Sequence, residues 1–331
     1  MDRFSAFRIH AEGDETRAGI EMLGLEQLSA GDVVIRVHYS SVNYKDALAG
    51  TGKAKILRRS PLVGGIDLAG EVVESSCTRY SPGDQVLVNG SGLSEVHDGG
   101  YAEFARIPSD WVVPLPVGLS LSQAMIIGTA GFTAALCIHL MQQNHQQADA
   151  GPVVVTGASG GVGSFAVDLL HKLGYEVTAV TGSFEAHEYL RELGAREVVA
   201  RERIEVGGAM LEKACWAGAI DNVGGETLSH LVRATKPWGN VVSVGIAGGT
   251  GFKLSTMPFI IRGVNLLGVS SSNCPQGLRK HIWQRLGTDL HPEHMAKIHA
   301  RTVQLEELPD VFTRLLNNDF RGRVLVKILG E

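Results

Sequence analysis

The hydrophobic pattern of this 331-residue chain changes from that of a strand to that of a helix near its middle. Residues 153–155 are three consecutive valines, which predict a buried strand, and a glycine-rich segment at 157–163 follows them. Apolar residues then recur at three- and four-residue spacing through residues 162–173, which predicts an amphipathic helix that ends at Gly174. A second strand is predicted at 176–181. This order of elements is typical of a dinucleotide site, where glycine N–H groups and the helix N-terminus bind a pyrophosphate.

The glycine-rich segment permits two interpretations. In the G-x-G-x-x-G pattern its residues align as Ala158, Gly160 and Gly163, so that alanine replaces the first glycine. The same segment also matches the G-x-S-x-G pattern of serine hydrolases, with Ser159 as the nucleophile. The third glycine, which suits close packing of a helix on a strand, and the β-rich segment upstream favour the dinucleotide site. The histidines that could formally complete a hydrolase triad are His281, His291, His294 and His299.

The first 125 residues are predicted to be rich in β-strands. Apolar and other residues alternate through positions 33–40, which is the period of a strand, and a turn at 81–84 precedes another strand at 85–88. Residues 61–71 are dense in glycine, as expected where backbones pack closely or turn sharply. We interpret this part as a β-barrel-like substrate domain.

Strands and helices alternate after the central glycine segment. Helices are predicted near residues 185–193 and 308–317, and strands at 197–200, 217–222, 240–244, 265–269 and 323–328. This alternation predicts an α/β fold with a parallel, doubly wound sheet, whose ligand lies beyond the carboxyl ends of the strands. Residues 245–249 follow one such end and are expected to face the cofactor. The closing strand at 323–328 is expected to return to the first domain.

Residues 124–141 contain no Asp, Glu, Lys or Arg and are about long enough to be interpreted as a membrane span. Because the stretch includes Thr129, Thr133 and His139 and directly precedes the nucleotide motif, we predict a buried helix at a domain junction and no membrane partner. The N-terminal residues lack the apolar region of a signal peptide, so a cytoplasmic protein is expected.

Composition narrows the range of partners. The net charge of −5 and the absence of a long run of Lys or Arg give no electrostatic sign of nucleic-acid binding. The four cysteines lie far apart, which predicts neither a disulfide framework nor a zinc knuckle. The expected partner is a small molecule.

Eight segments of the chain carry a family resemblance. In order, they are residues 41–46, 65–70, 99–103, 128–134, 187–190, 216–221, 257–260 and 322–323, with the glycine motif among them. Together they resemble the medium-chain dehydrogenase/reductase superfamily, and within it the acryloyl-coenzyme A reductase branch that is often labelled quinone oxidoreductase. The resemblance spans nearly the whole chain.

The resemblance implies a GroES-like β-barrel catalytic domain at residues 1–125 and 300–331, and an inserted Rossmann NADP-binding domain at 126–299. Zinc-dependent members carry a Gly-His-Glu segment where this chain has Gly65-Ile66-Asp67, and the four-cysteine structural lobe is missing. Without histidine or clustered thiolates a tetrahedral zinc site cannot be assembled there. We therefore expect no metal and a zinc-independent reductase.

The end of the second strand predicts the nicotinamide cofactor. Where NAD sites carry an Asp or Glu for the ribose 2′-hydroxyl, this chain has Thr181-Gly182-Ser183, whose hydroxyls and N–H groups suit a 2′-phosphate. Arg201 or Arg196 could supply the positive partner of that phosphate, although either could also be a solvated surface charge. Relatives are expected to have a basic residue at Ser183. The prediction is NADP(H).

The resemblance implies hydride transfer from NADPH to the β-carbon of an α,β-unsaturated acyl-CoA, such as acryloyl-CoA, and protonation of the α-carbon to give propanoyl-CoA. Such a reaction needs hydrogen-bond donors at the thioester oxygen. Tyr44 is the first catalytic candidate, with a core tyrosine as the alternative. Asp67 is the second, with a structural carboxylate as the alternative. The cofactor-binding candidates are Tyr44, Thr133, Ser159, Gly160, Gly161, Val162, Thr181, Gly182, Ser183, Arg201, Ile246, Ile260 and Ser271.

Other functions and features remain open at this stage. The same machinery could reduce quinones or other activated alkenes, and the serine hydrolase and a non-catalytic NADPH sensor are further alternatives. A homodimer formed through residues 265–269 is a family-based expectation. The densest basic cluster, Lys53, Lys55, Arg58 and Arg59, could bind CoA phosphates or be a solvated loop. His97 is expected to be a surface histidine.

Overall fold

A computed structural model of the chain describes residues 3–13, 15–204 and 207–330. The chain forms two compact units. The first comprises Met1–Thr129, Ser271–Thr288 and His299–Glu331, and the second comprises Ala130–Ser270 and Asp289–Ile298. The predicted division at residues 125 and 300 lies close to two of these boundaries, but residues 271–288 pack in the first unit. The assignment of residues 1–125 and 300–331 to a catalytic domain, and of 126–299 to a cofactor-binding domain, stays a prediction.

The described residues form sixteen strands and nine α-helices. The strands are β1 Phe4–Glu12, β2 Glu15–Leu23, β3 Val33–Val42, β4 Leu62–Val63, β5 Asp67–Ser75, β6 Gln85–Asn89, β7 Phe104–Ile107, β8 Val113–Pro114, β9 Val153–Thr156, β10 Val177–Thr181, β11 Glu197–Ala200, β12 Trp216–Asp221, β13 Thr235–Ser243, β14 Asn265–Gly268, β15 His299–Val303 and β16 Arg323–Lys327. The helices are α1 Tyr44–Thr51, α2 Leu121–Gln143, α3 Gly161–Lys172, α4 His187–Glu192, α5 Gly225–Ala234, α6 Met257–Arg262, α7 Gln276–Leu286, α8 Met295–Ile298 and α9 Leu308–Leu316.

The second unit is built on a six-stranded sheet in the order β11-β10-β9-β12-β13-β14. Every pair of neighbouring strands in it is parallel. Counted from β9, this is the order 3-2-1-4-5-6 of a dinucleotide-binding Rossmann fold, with its switch point between β9 and β12. The predicted doubly wound parallel sheet is confirmed.

The first unit contains a three-stranded sheet, β2-β1-β4, and a seven-stranded sheet that runs β15-β16-β3-β5-β6-β8, with β7 also paired to β3. Alternate residues of β3, namely Val33, Ile35 and Val37, are fully buried, as the period-two pattern predicted. The closing strand β16 pairs antiparallel with β3 and parallel with β15, so it does return to the first unit.

Helix α2 is the apolar stretch that resembled a membrane span. By length and composition it could cross a membrane, but 83% of its most apolar window is buried inside the protein. The helix is bent at Gly128, whose backbone has φ 49° and ψ −158°. A buried core helix is therefore the correct interpretation.

Candidate active site

Asp67, the first residue of β5, is fully buried and accepts hydrogen bonds on both carboxylate oxygens. Ser41 Oγ donates to Oδ2 at 2.6 Å, and Asn43 Nδ2 donates to the same oxygen at 2.8 Å. Thr129 donates its backbone N–H to Oδ2 at 2.9 Å and its hydroxyl to Oδ1 at 2.6 Å. This geometry fits the structural alternative for Asp67 better than direct contact with a substrate, and the predicted catalytic role stays a prediction.

Arg323, the first residue of β16, is the cation that faces this carboxylate. Its Nη2 lies 3.8 Å from Asp67 Oδ2 and donates to Ser41 Oγ at 2.7 Å. Its other nitrogens donate to backbone oxygens of Val42 and Ile126 and to Asn43 Oδ1. Burial lowers the pKa of Arg323, and the carboxylate of Asp67 opposes that shift. The guanidinium thus joins β16, β3 and helix α2 within the first unit.

The bend of helix α2 brings its backbone against these side chains. A Cβ added at Gly128 would lie 2.6 Å from Arg323 Nη2 and 2.8 Å from both Asp67 Oδ2 and Ser41 Oγ. The backbone there also has a positive φ, which side chains other than glycine rarely adopt. Glycine is therefore required at this position by both space and conformation.

A second buried carboxyl, Asp46, is the third residue of α1. It accepts hydrogen bonds from the backbone N–H groups of Asn43, at 2.9 Å, and Ile66, at 3.0 Å. The Asn43 side-chain amide donates to both Asp46, at 3.2 Å, and Asp67, so one amide joins the two carboxyls. Burial, and then the nearby charge of Asp67, raise the pKa of Asp46 to about 7. No pattern in the sequence indicated the roles of Asn43 and Asp46.

Tyr44 is the first residue of α1 and directly follows Asn43. Its side chain is 55% exposed, so the alternative of a buried core tyrosine is wrong. The exposed ring stands at the end of a helix whose preceding residue, Asn43, is held by Asp46, Asp67 and Arg323. Tyr44 is therefore accessible to a ligand on a firmly held backbone.

The glycine turn of the second unit has the geometry that its sequence predicted. Gly157, the first glycine of the turn, has a positive φ of 57°. Helix α3 begins at Gly161, and its N-cap residue Gly160 has an extended backbone. A Cβ added at Gly163 would collide with the oxygen of Gly157 and lie 2.6 Å from the Cα of Ala158. Gly163 thus allows helix α3 to pack directly on the turn.

The end of β10 brings together most of the predicted cofactor-binding hydroxyls. Ser159 Oγ lies 3.1 Å from Thr181 Oγ1, which accepts the backbone N–H of Ser183 at 3.1 Å. A Cβ on Gly182 would lie 3.4 Å from Arg201 Nη2, so the Arg201 side chain lies beside this turn. Two hydroxyls, a hydroxyl-bearing turn and a guanidinium are therefore neighbours at the carboxyl edge of the sheet.

Arg196 lies at the opposite edge of the same sheet. It directly precedes β11, and its Nη1 forms an ion pair of 3.0 Å with Glu176, which directly precedes β10. Arg201 instead follows the carboxyl end of β11. Of the two arginines proposed from the sequence, only Arg201 lies beside the Thr181 turn.

The hydrolase alternative lacks its geometry. Ser159 bonds to the Thr181 hydroxyl and not to a histidine. The nucleophile of a hydrolase elbow has a strained backbone, but Ser159 is not among the described residues with a positive φ. His294, one of the formal triad candidates, instead pairs with Asp168 at 2.7 Å. Ser159 is therefore placed as part of the glycine turn and not as a nucleophile.

The sheet's switch point carries three polar residues whose roles no pattern in the sequence indicated. Thr156, which ends β9, donates its hydroxyl to Asp221 Oδ1 at 2.6 Å, and Asn222 Nδ2 donates to the Thr156 oxygen at 2.8 Å. Asp221 also accepts the N–H groups of Val223 and Gly224, and burial raises its pKa. These bonds fix the carboxyl ends of β9 and β12 together, where a Rossmann fold binds its ligand.

The remaining predicted cofactor-binding residues lie in varied surroundings. Ile246 and Ile260 are 68% and 75% exposed, whereas Thr133 is buried in helix α2. Ser271 lies in the first unit, where its backbone oxygen accepts a bond of 3.0 Å from Arg279. Their roles stay a prediction.

His97 is buried, so the expected surface histidine is wrong. Only 7% of it is exposed, its ring packs edge-on against Trp111, and its nitrogens lie 2.9 and 3.0 Å from the backbone oxygens of Asp98 and Ala30. Of these neighbours Ala30 is the most distant in the chain, 67 residues away. We interpret His97 as a packing residue.

The residues at the zinc-ligand place do not fit a metal. Asp67 has its oxygens occupied by hydrogen bonds, and Ile66 has no ligating atom in its side chain. In the ranges 3–13, 15–204 and 207–330, no three His, Cys, Asp or Glu side chains group so that they could hold a metal ion.

Two sequence profiles match the chain. That of the alcohol dehydrogenase GroES-like domain matches residues 29–117, and that of zinc-binding dehydrogenases matches residues 161–286. The probable acrylyl-CoA reductase AcuI of Escherichia coli is 46% identical over 323 residues, which are 98% of this chain and 99% of that protein. The chain belongs to the medium-chain dehydrogenase/reductase superfamily. Within it, the chain falls in the zinc-independent acryloyl-CoA reductase branch.

Two further proteins that are similar to this chain have solved structures. The putative quinone oxidoreductase YhfP of Bacillus subtilis is 44% identical over 98% of this chain and 99% of that protein. Its crystal structure with NAD bound has a TM-score of 0.96 and covers 99% of this chain and 100% of that one. The yhdH oxidoreductase of Salmonella enterica, in complex with NADP, has a TM-score of 0.94 at 47% identity over 98% of this chain and 99% of that one. The GroES-like and Rossmann architecture is thereby confirmed.

Asp46 should make the stability of the protein depend on pH. Its pKa rises from an ordinary 3.8 to about 7 in the fold, so between these values the folded state binds more protons than the unfolded state. The free energy of unfolding should therefore fall as pH rises through this window, by at most about 1.4 kcal/mol per pH unit. Asp46→Asn cannot ionise and should lack this component.

The measurement is equilibrium urea denaturation of both proteins at about pH 5 and pH 7.5, with the exposed Asp319→Asn as control. The stability advantage of the wild type over Asp46→Asn should shrink at the higher pH. An advantage that stays constant with pH would contradict the assignment.

Proposed function

We propose that this chain reduces the C=C bond of an α,β-unsaturated acyl-CoA with NADPH and without zinc, most simply acryloyl-CoA to propanoyl-CoA. The observation that carries the choice of NADPH is the carboxyl edge of the Rossmann sheet, where hydroxyls and Arg201 replace the carboxylate of an NAD site. Two relatives support the same assignment. AcuI is named as a probable acrylyl-CoA reductase, and the yhdH oxidoreductase was solved in complex with NADP.

The residues of the second unit fit a phosphorylated dinucleotide. Gly160, Gly161 and Val162 present the N-terminus of α3 to a pyrophosphate, and Ser159, Thr181 and Ser183 can bond to a 2′-phosphate beside Arg201. When bound, NADPH supplies the hydride that goes to the β-carbon of the substrate. Thr133, Ile246, Ile260 and Ser271 complete the proposed cofactor contacts.

The protein's own chemical task is to stabilise negative charge. Hydride addition at the β-carbon leaves an enolate, whose charge develops on the thioester oxygen before the α-carbon takes a proton. We assign Tyr44 to this oxygen because its hydroxyl is accessible on a backbone that Asn43 and Asp67 hold. Asp67 then acts as a positioning residue.

Reduction of acryloyl-CoA is the first test. The purified protein should oxidise NADPH rapidly with acryloyl-CoA and slowly with a quinone, with a chelator present in every assay. Ser159→Ala should keep hydride transfer, because Ser159 serves only as one cofactor contact. Turnover with the quinone alone would move the chain to the activity for which YhfP is named. NADPH binding without turnover of either compound would favour a sensor, and ester hydrolysis that Ser159→Ala abolishes would favour the hydrolase.

Tyr44→Phe removes only the hydroxyl that we assign to the enolate oxygen. A single donor of this type contributes about 100-fold to kcat, so we expect kcat to fall by about 10- to 100-fold with a smaller change in KM. Steady-state kinetics with acryloyl-CoA test this, with Tyr39→Phe, on strand β3, as the matched control. An unchanged kcat would remove Tyr44 from the catalytic step.

Arg201→Ala should weaken binding of NADPH but not of NADH. A charge-assisted hydrogen bond to the 2′-phosphate contributes about 1.5–3 kcal/mol, so the KM for NADPH should rise by about 10- to 100-fold. Arg196→Ala, which removes an arginine at the opposite edge of the sheet, is the control and should leave both cofactors unaffected. Equal effects on NADPH and NADH would contradict the assignment. The NAD complex of YhfP makes this comparison informative.

We also propose a homodimer and a cytoplasmic location. Strand β14 is the outer strand of the six-stranded sheet and pairs only with β13 among the described strands, so its free edge could pair with a second copy. Ile260 and Ile261, from the preceding helix α6, are 75% and 61% exposed. No electrostatic sign of nucleic-acid binding accompanies this surface, since the chain carries a net charge of −5.

A further inference from the structure

Residues 45–60 form the most basic segment of the chain, and we call them the basic segment. They contain five of the thirty Lys and Arg residues of the protein, which are Lys45, Lys53, Lys55, Arg58 and Arg59. Their only acidic residue, Asp46, is buried. Positive charge is thus concentrated in one segment of a chain whose net charge is −5, and such a cluster attracts anionic ligands.

Few of these charges are compensated. Glu95 accepts from Lys45 Nζ at 2.7 Å and lies 3.2 Å from Arg58 Nη2, so one carboxylate serves two cations. Arg59 donates to the hydroxyl of Ser29 at 3.1 Å. Lys53 and Lys55 are exposed and form no ion pair with the part of the chain that the structure describes.

The basic segment begins beside Tyr44 and extends away from it. Helix α1 contains eight residues, Tyr44–Thr51, which is a rise of about 12 Å. The helix ends in a left-handed cap at Gly52, with φ 70°, and Lys53 and Lys55 follow at once. The two lysines therefore lie one helix length from Tyr44, a separation that the extended pantetheine arm of coenzyme A can span.

We propose that Lys53 and Lys55, assisted by Arg58, bind the phosphates of the CoA part of the substrate while Tyr44 faces the thioester. This inference rests on the proposed function, because it assumes an acyl-CoA at Tyr44. Glu95 then acts as a positioning residue that holds Lys45 and Arg58 along the same path. The basic segment would favour acyl-CoA esters over quinones, which carry no phosphate.

The test compares two substrates with the same acyl-pantetheine arm, one with and one without the phosphorylated adenosine part of CoA. Acryloyl-CoA carries a diphosphate and a 3′-phosphate, whereas acryloyl-pantetheine carries neither. In Lys53→Ala/Lys55→Ala we expect the KM for acryloyl-CoA to rise about tenfold, because two charge contacts are lost, with kcat unchanged. The KM for acryloyl-pantetheine should not change.

The matched control is Lys213→Ala/Lys327→Ala, which removes two exposed lysines elsewhere. It should leave the KM for both substrates unchanged. Added salt should raise the KM of the wild type for acryloyl-CoA and have little effect on the Lys53/Lys55 double variant, because the contacts removed are those that salt screens. An equal change of KM for both substrates, or none for either, would overturn the inference.

Direct binding separates this inference from the proposed function. Calorimetry with CoA itself should give weaker binding to the Lys53/Lys55 double variant than to the wild type. Turnover of acryloyl-CoA without dependence on the lysines would overturn the inference and keep the function. Lysine-dependent binding of CoA without turnover would keep the inference and overturn the proposed function. Absence of both CoA binding and turnover would overturn the inference and the function together.

Discussion

The buried pair of Asp67 and Arg323 is the constraint on which the first unit depends. With 3.8 Å between their charged groups, the two residues are the ends of a hydrogen-bonded network that includes Ser41, Asn43 and Thr129. Removing one partner of a buried ion pair leaves a charge without compensation and typically costs about 3–5 kcal/mol. The network fixes the start of helix α1 and the bend of helix α2. Since Tyr44 is the first residue of α1, its position depends on two buried charged groups.

The second unit depends on a different constraint, the parallel order of its strands. Because all six strands point the same way, their carboxyl ends meet at one edge, and residues far apart in sequence become neighbours there. Thr156 and Asp221 join two strands at that edge, while Arg201 lies beside Gly182 at another point along it. The site therefore consists of strand ends and short turns, which are held more rigidly than long loops.

Local patterns in the sequence predicted the elements that local interactions decide. The glycine turn, helix α3 and the strands around it follow from spacing over a few residues, and the motifs that indicated the superfamily are equally local. The network around Arg323 could not be predicted, because this residue meets Ser41 across almost the whole chain. The surface prediction for His97 failed for the same reason, since Ala30 and Trp111 cover it. Arg196 and Arg201 differ in lying at opposite edges of the sheet, a difference that becomes evident only once the strand β11 between them is placed.

Strand β16 has a consequence for how the protein is made. It lies between β15 and β3 in the seven-stranded sheet, although it is the last described strand of the chain. The first unit cannot complete its sheet until this strand has been synthesised, whereas the second unit is nearly continuous in sequence and can fold earlier. During synthesis β3 can pair with β5 and β7, but its pairing with β16 and the counter-charge of Asp67 come only when residues 323–327 have been made. The nascent chain therefore carries an incomplete sheet until β16 has left the ribosome.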